Sequence, residues 1–303
     1  LAICKFPQQE NNKATKVYES LANEGYRLVG VARKKVEVNS QISPSDLEFV
    51  GLLAMSDPPR KGVKEAVIIC QEAGIRIIMI TGDNKLTAHN IAENIGLRHN
   101  ENITSGEELE KLSPLAWQET VRRHDIFARV RPEQKFLIVE ALQKNAEIVA
   151  MTGDGVNDAP ALKKANIGIA MGQKGTEVAR QAAGVVLMDD NFSTIVSAVK
   201  EGRRIYDNLR QSFAFLLSFH IPIVGLALIP VLFNHSLIFL PIHVIFLELI
   251  CDPAAVLGFE KEKARRGLMK EKPRSQKEPL IEAKLWGNVL FQGLSILAIS
   301  RAF

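Results

Sequence analysis

Cysteine and aromatic residues are scarce in this chain, and its first residues show no leader pattern. Only Cys4, Cys70 and Cys251 occur in 303 residues, far apart along the sequence. Such spacing excludes a disulfide framework and the paired-cysteine zinc patterns, and it points to a reducing compartment for the soluble part. Aromatics make up 6% of the chain and do not interleave with the basic residues. The net charge of +4 and pI near 8.9 therefore do not read as a nucleic-acid surface. Many of the lysines and arginines instead flank apolar runs. The chain opens LAICKFPQQE, without an initiator Met or a leader pattern, and stops at Ser-Arg-Ala-Phe inside an apolar run. Both ends read as cut, so an internal piece of a longer protein is expected. No internal repeat or low-complexity tract occurs.

What the chain does contain changes character along its length. Hydrophobic residues are 47% and charged residues 24%, a globular balance on average. Up to about Gly202 the two kinds are mixed, and after Arg210 the chain turns strongly apolar. The length suits about two domains. Ala14 to Asn23 reads as a helix, followed by Gly25 and the strand-like Leu28 to Ala32; Phe49 to Ala54 reads as a second strand. Asp57-Pro58-Pro59-Arg60 forbids a continuing helix or central strand and marks a hinge. Helices are predicted over Val63–Ala73, Thr87–Ile95, Ser105–Leu112, Leu115–Arg123 and Pro132–Lys144. Strands are predicted over Ile75–Ile80, Ile126–Arg129, Ile148–Met151, Ile167–Ala170 and Val185–Leu187. Short strands alternating with helices imply a parallel sheet covered on both faces.

The segment MTGDGVNDAPALKKANIGIAMG, Met151 to Gly172, carries the most chemical information. Asp154 and Asp158 sit in a glycine-rich turn directly after the apolar run Ile148-Val149-Ala150. That puts two acids at the carboxyl end of a buried strand, where open α/β sheets place ligands. Acids on a glycine turn near lysines suit Mg²⁺ shared with a phosphate. Thr81-Gly82-Asp83 follows another strand and can hold phosphate oxygens through its hydroxyl and backbone N–H groups; a plain turn with Asp83 as helix N-cap explains it equally well. Lys135, in FARVRPEQK, falls on the first turns of a helix and can place a positive charge on a transferring phosphoryl group, or lie solvated on the surface. Together, a strand ending in Thr, then a Lys, then a strand ending in a glycine-flanked acid pair follow the pattern of haloacid-dehalogenase-type phosphoryl-transfer domains.

The strings DPPR, MITGDNKLTAHNIA, FARVRPEQK and MTGDGVNDAPALK resemble the phosphorylation domain of P-type ATPases, the calcium-pump-like branch in particular, and the resemblance covers nearly the whole chain. It implies a haloacid-dehalogenase-like Rossmannoid sheet, incomplete because its first strand is missing. By the same resemblance Asp154 holds Mg²⁺ with Asp158 in support, and Thr81, Gly82 and Asp83 line the phosphoryl and nucleotide site. Lys135 then neutralises phosphoryl charge, while Arg27, Arg129 and Asn157 contact ATP. It also implies that residues 1–50 are the tail of a nucleotide-binding domain, 51–200 the phosphorylation domain, and 201–303 stalk and transmembrane helices. One departure matters: no DKTGT nucleophile motif occurs in these residues. Without that aspartate no aspartyl-phosphate forms, so this piece alone is expected to be inactive, although its full-length parent is expected to be an active pump. A decayed, non-catalytic pump and a soluble phosphatase of the same superfamily are the alternatives.

Phe213 to Phe233 is a run of 21 residues without an acidic or basic side chain apart from His220, close to the ~20 that cross a bilayer as a helix. Leu237 to Phe259 is a second run, interrupted by Glu248 and Asp252, and Leu285 to Phe303 begins a third. Lysines and arginines before the first run and in the loop 260–284, with none in Asn234-His235-Ser236, place residues 1–210 and 260–284 in the cytoplasm by the positive-inside rule. The membrane is expected to be the plasma membrane. Glu248 and Asp252, four apart on a helix, share one face; acids within a span are costly unless paired or bound to a cation. With Pro253 freeing a carbonyl nearby they suit a transported cation, and the family resemblance makes Ca²⁺ the first expectation. Ile223 stands where two-site calcium pumps have a glutamate, which argues for a single ion site or another ion. His220 and His243 read as hydrogen-bonded packing residues. A helix from Asn191 to Arg210 is expected to run on into the first span and to couple the two halves.

Overall fold

The computed structural model describes residues 4–5, 8–23, 26–35, 47–55, 58–99, 102–275 and 278–302. Gly25 and Asp57 lie outside them. The chain divides into two compact units, residues 1–71 with 76–194, and residues 72–75 with 195–303.

The first unit begins with β1 (Cys4–Lys5), α1 (Gln8–Asn23), β2 (Arg27–Arg33) and β3 (Leu47–Met55), which form a mixed sheet in the order β1-β3-β2. There follow α2 (Val63–Glu72), β4 (Met79–Ile80), α3 (Lys85–Asn94), β5 (Ile103–Ser105), α4 (Gly106–Glu110) and α5 (Pro114–Arg123). Next are β6 (Ile126–Ala128), α6 (Pro132–Lys144) and β7 (Ala150–Gly153), a short 3₁₀ turn (Val156–Asp158), and then α7 (Ala159–Lys164), β8 (Ile167–Met171), α8 (Glu177–Ala182) and β9 (Val185–Leu187). The strand–helix alternation expected from the sequence is present, and every pairing among β4 to β9 is parallel.

The parallel sheet is not one continuous layer. It consists of two pieces, β4-β6-β5 and β7-β8-β9, so β4 and β7 are both edge strands. The strand expected over Ile75–Ile80 shrinks to Met79–Ile80, because β6 is its one partner and pairs only there. The strand expected over Ile148–Met151 is shifted to Ala150–Gly153, following its register with Ile167–Ala170. A common core nevertheless joins the pieces: Phe127, Ile138, Met151, Leu162 and Ala170 are buried together, with Ile80 packed against them. Burial of such side chains contributes about 1.5–3 kcal/mol each, enough to hold two small sheets as one body.

The second unit is helical. In α9 (Phe192–Leu232) 41 residues run without a break, through Pro222 and Pro230. The turn at Asn234 (φ 55°) leads to α10 (Pro241–Phe246), a π-helical turn (Leu247–Cys251) and α11 (Asp252–Glu260), and the unit ends with α12 (Ala283–Ala302). Among the described residues, two helical stretches are long and apolar enough to cross a membrane, Phe192–Leu232 and Pro241–Glu260. The third run expected from the sequence forms a helix but does not reach that hydropathy. Glycines seat α12 against α9: a Cβ at Gly293 would lie 2.9 Å from the Ser218 carbonyl, and one at Gly225 2.5 Å from Leu297.

The basic loop after α11 is strapped to α9 by its backbone. Arg203 donates to the carbonyls of Leu268, Glu271 and Ala73, each at 2.9 Å. Arg204 and Asn208 donate to the carbonyls of Glu260 and Glu262, and Arg274 stacks 3.9 Å over the Tyr206 ring. Arg265 is gripped by Glu271 and Asp207, which hold its guanidinium above its ordinary value. A chain segment rich in lysine and arginine thus lies ordered against a helix, because the arginine fork fits carbonyl oxygens.

Candidate functional site

Two clusters, one in each unit, gather the residues singled out from the sequence. In the first unit, β7 ends in Gly153, and the turn after it brings Asp158 back against Gly153. Lys135, on the first turn of α6, donates from Nζ to Asp158 Oδ1 at 2.7 Å, and the Gly155 N–H donates to Asp158 Oδ2 at 3.2 Å. Asp158 is buried, with 9% of its side chain exposed and 21% of the Lys135 side chain. A solvated Lys135 is therefore corrected, since the ammonium turns inward to a buried acid. Asp154 is exposed, and its carboxylate takes no ion pair among the described residues; its carbonyl accepts from the Thr176 N–H at 2.8 Å. One carboxylate of the turn is neutralised and the other is free for a cation. Asn157 is exposed on the same turn.

The Thr81–Asp83 loop is fixed to the strand beside it. Thr81 N–H donates to Phe127 O, Arg129 N–H to Asp83 O at 2.8 Å, and Val130 N–H to Thr81 O. The Thr81 hydroxyl donates to Asp83 Oδ2 at 3.0 Å and accepts from the Asp83 N–H. The N-cap of α3 is Asn84, whose side chain accepts from Thr87 N–H at 2.9 Å. The reading of Asp83 as a cap is thereby overturned. Gly82 has open space where a Cβ would stand, so its backbone is accessible to a ligand. Arg129 is exposed, with a left-handed φ of 48°. Arg27 begins β2, and its side chain lies outside the described residues.

Other residues supporting this site were not singled out in the sequence. Buried Gln134 accepts from Arg131 N–H and donates to Gly106 O, both near 2.9 Å, clamping the loop that carries Arg129. A Cβ at Gly106 would stand 2.5 Å from the Arg129 carbonyl. Arg60, directly after Pro58 and Pro59, is hydrogen-bonded to the Asp190 carbonyl. Burial pushes the Asp190 carboxyl up, but the Gln173 and Lys174 N–H groups and Arg60 outweigh it and hold it below the usual carboxylate range. An imidazole pair joins His89 of α3, through Nδ1, to His99 Nε2 in the segment after the helix at 3.0 Å, with Glu93 close by. The Gln134–Gly106 and Arg60–Asp190 contacts do not stand out from local patterns, because they join residues 28 and 130 positions apart.

In the second unit, Glu248 lies in the π-helical turn and Asp252 opens α11. His220 of α9 faces both: its Nε2 is 3.0 Å from Glu248 Oε1 and 3.7 Å from Asp252 Oδ2. Its other ring nitrogen meets the Leu216 carbonyl at 2.7 Å. His220 is thus hydrogen-bonded, as expected, but to Glu248, with Asp252 beside it, rather than merely within a packed helix. His243 does otherwise, accepting from the Leu240 N–H at the start of α10. Ile223, one turn beyond His220, is buried and offers no ligand atom.

Comparison with known proteins agrees with both halves. A haloacid dehalogenase-like hydrolase family model matches residues 9–166, and a second model of the same description matches residues 135–199. The model for the C-terminus of cation-transporting ATPases matches residues 236–302. A protein named calcium-transporting ATPase 1 of Bacillus cereus is 41% identical over 95% of this chain, and a calcium-transporting ATPase of Bacillus subtilis is 40% identical over 96%. An endoplasmic reticulum-type calcium-transporting ATPase 3 of Arabidopsis thaliana is 41% identical over 92%. The chain spans 33%, 33% and 29% of those relatives' own lengths. With its parallel strands, its paired acids and a family model over more than half its residues, the chain belongs to the haloacid dehalogenase-like hydrolases, and it is a membrane-protein segment similar throughout to P-type, calcium-pump-like ATPases.

Proposed function

We propose that the chain is a segment of an ATP-driven cation pump of the plasma membrane, working through an aspartyl-phosphate. The observation that carries this reading is the Lys135–Asp158 pair at 2.7 Å, set in one turn with the free carboxylate of Asp154 at the carboxyl end of β7. Residues 1 to about 50 are then the tail of a nucleotide-binding domain, 51–200 the phosphorylation domain, and 201–303 the stalk and spans with the cytoplasmic loop 260–284. The phosphorylated aspartate lies outside these residues. A strand bearing it would join at an open sheet edge, such as that of β4 or of β7, beside the strands that lead into the Thr81 loop and the Asp154 turn.

In this reading Asp154, supported by Asp158, holds Mg²⁺, which when bound neutralises charge on the phosphoryl oxygens. Lys135, oriented by Asp158, would add a fixed positive charge to the phosphoryl group. The Thr81 hydroxyl and the Gly82 N–H bind phosphoryl oxygens, Asp83 orients the Thr81 hydroxyl, and Arg27, Arg129 and Asn157 contact ATP. Domain movement then alternates access to a cation held by Glu248 and Asp252, with the relatives' names making Ca²⁺ the starting candidate. A soluble phosphatase has no use for acids between two apolar helices.

The test is Asp154→Ala in the full-length protein, with phosphoenzyme formed from radiolabelled ATP. Loss of a fixed electrostatic partner at such a centre costs on the order of 10²-fold or more, so labelling should fall to background within the turnover time. Undiminished labelling sinks the assignment; no labelling of the unmutated protein identifies a decayed pump.

A further inference from the structure

We propose that His220 is a third ligand of the intramembrane site, and that the cation taken there is a borderline d-block dication, of the class of Mn²⁺, Co²⁺ and Zn²⁺, in preference to Ca²⁺. This rests on the pump reading and names its substrate class.

The geometry is that of one ion's donor set. Candidate ligand atoms from His220, Glu248 and Asp252 all lie within 4.8 Å of one another. Atoms bound to a common ion at about 2.0–2.2 Å lie within roughly 4.4 Å of each other, so small rotamer adjustments bring all three onto one centre. The imidazole is also prepared for the task. Its Nδ1 faces the Leu216 carbonyl at 2.7 Å. A carbonyl only accepts, so Nδ1 carries the hydrogen, and when a cation displaces the proton that Nε2 shares with Glu248, the Nε2 lone pair points towards the two acids. A backbone acceptor on the far nitrogen is how metal-binding histidines are commonly oriented.

The donor types decide the ion. Calcium takes six to eight oxygens and gains little from a ring nitrogen. Imidazole together with carboxylates suits first-row d-block dications. On α9, Ile223 withholds an oxygen one turn from His220, so this helix contributes nitrogen to the site through His220. The π-helical turn acts in the same direction. It widens the helix between Glu248 and Asp252, and such turns recur where a helix is shaped around a site. Both carboxylates then converge on one imidazole, although four-residue spacing on a regular helix would also put them on a single face.

The experiment uses the full-length pump in proteoliposomes, with ATPase stimulation and ion uptake measured for Mn²⁺, Zn²⁺ and Ca²⁺. A second readout is the visible absorption of bound Co²⁺, which reports a nitrogen ligand whether or not turnover occurs. The expected result is half-maximal stimulation by Mn²⁺ or Zn²⁺ at least about tenfold below that for Ca²⁺, a preference lost in His220→Gln by a similar factor, the scale on which metal-site partners act. The Co²⁺ spectrum should change in the same variant, while phosphorylation by inorganic phosphate persists and shows the protein folded. A preference for Ca²⁺ in the unmutated pump, or a d-block preference and Co²⁺ spectrum unchanged in His220→Gln, overturns the ligand assignment. ATPase activity that needs no ion, and that Glu248→Gln and Asp252→Asn leave unaltered, overturns the pump reading itself and this inference with it.

Discussion

Asp158 is held in place by a missing side chain as much as by its ion pair. A Cβ on Gly153 would stand 2.6 Å from Asp158 Cβ and 2.9 Å from its carboxyl carbon. Only glycine lets the strand end pass so close to a buried acid, and this is the physical content of the glycine in Thr-Gly-Asp-Gly. Gly153→Ala is therefore predicted to push Asp158 off Lys135. Overpacking of this kind costs about 1–3 kcal/mol, and breaking a buried pair leaves a charge uncompensated. Thermal unfolding should show a lower midpoint, and phosphoenzyme formation in the full-length protein should fall well below that of the parent. An unchanged midpoint together with full labelling would mean that the strand end yields without moving the acid. In the sequence the two aspartates look alike; the fold separates them into a buried one paired with lysine and an exposed one.

At the scale of elements, α9 and α12 meet through small residues rather than large ones. In a bilayer, apolar side chains gain little from association, and close backbone approach supplies the packing instead. Gly293 is the tightest case, since a Cβ there would meet Ile221 at 2.6 Å and the Ser218 carbonyl at 2.9 Å. Pro222 removes the N–H that would otherwise bond that carbonyl, so the same stretch of α9 is both close-packed and short of a backbone donor. Gly293→Val is predicted to part the helices locally at a cost of about 1–3 kcal/mol. Cross-linking of cysteines introduced at Ser218 and Gln292 should become less efficient, while the parent pairing stays efficient because those side chains are 3.4 Å apart. Cross-linking as strong as in the parent would show that the contact tolerates a branched side chain.

For the molecule as a whole, the turn of residues 72–75 is predicted to couple chemistry to transport in the proposed pump. It connects α2 to β4, and so to Thr81, yet it clusters with the helical unit. Arg203 holds its Ala73 carbonyl together with two carbonyls of the basic loop, and Gly74, with a left-handed φ of 72°, lies against Pro273 and Lys272. Arg203→Lys replaces a five-donor fork by a single point and should not serve. Both Arg203→Ala and Arg203→Lys are predicted to lower the ions moved per ATP while phosphoenzyme still forms; an unaltered ratio would locate the coupling elsewhere, α9 being the remaining candidate. The α/β alternation, the helical spans, the acid turn and the membrane carboxylates were legible in the sequence because each is a local pattern: periodicity, run length, or residues a few positions apart. The split of the sheet, the inward turn of Lys135, the carbonyl grip of Arg203 and the facing of His220 towards Glu248 and Asp252 join residues 23 to 130 positions apart. The sequence by itself determined which chemistries were present, since composition and spacing fix which groups occur near one another along the chain. Which acid stays free and which nitrogen faces the ion depended on folding, because burial and partner choice exist only once distant segments pack.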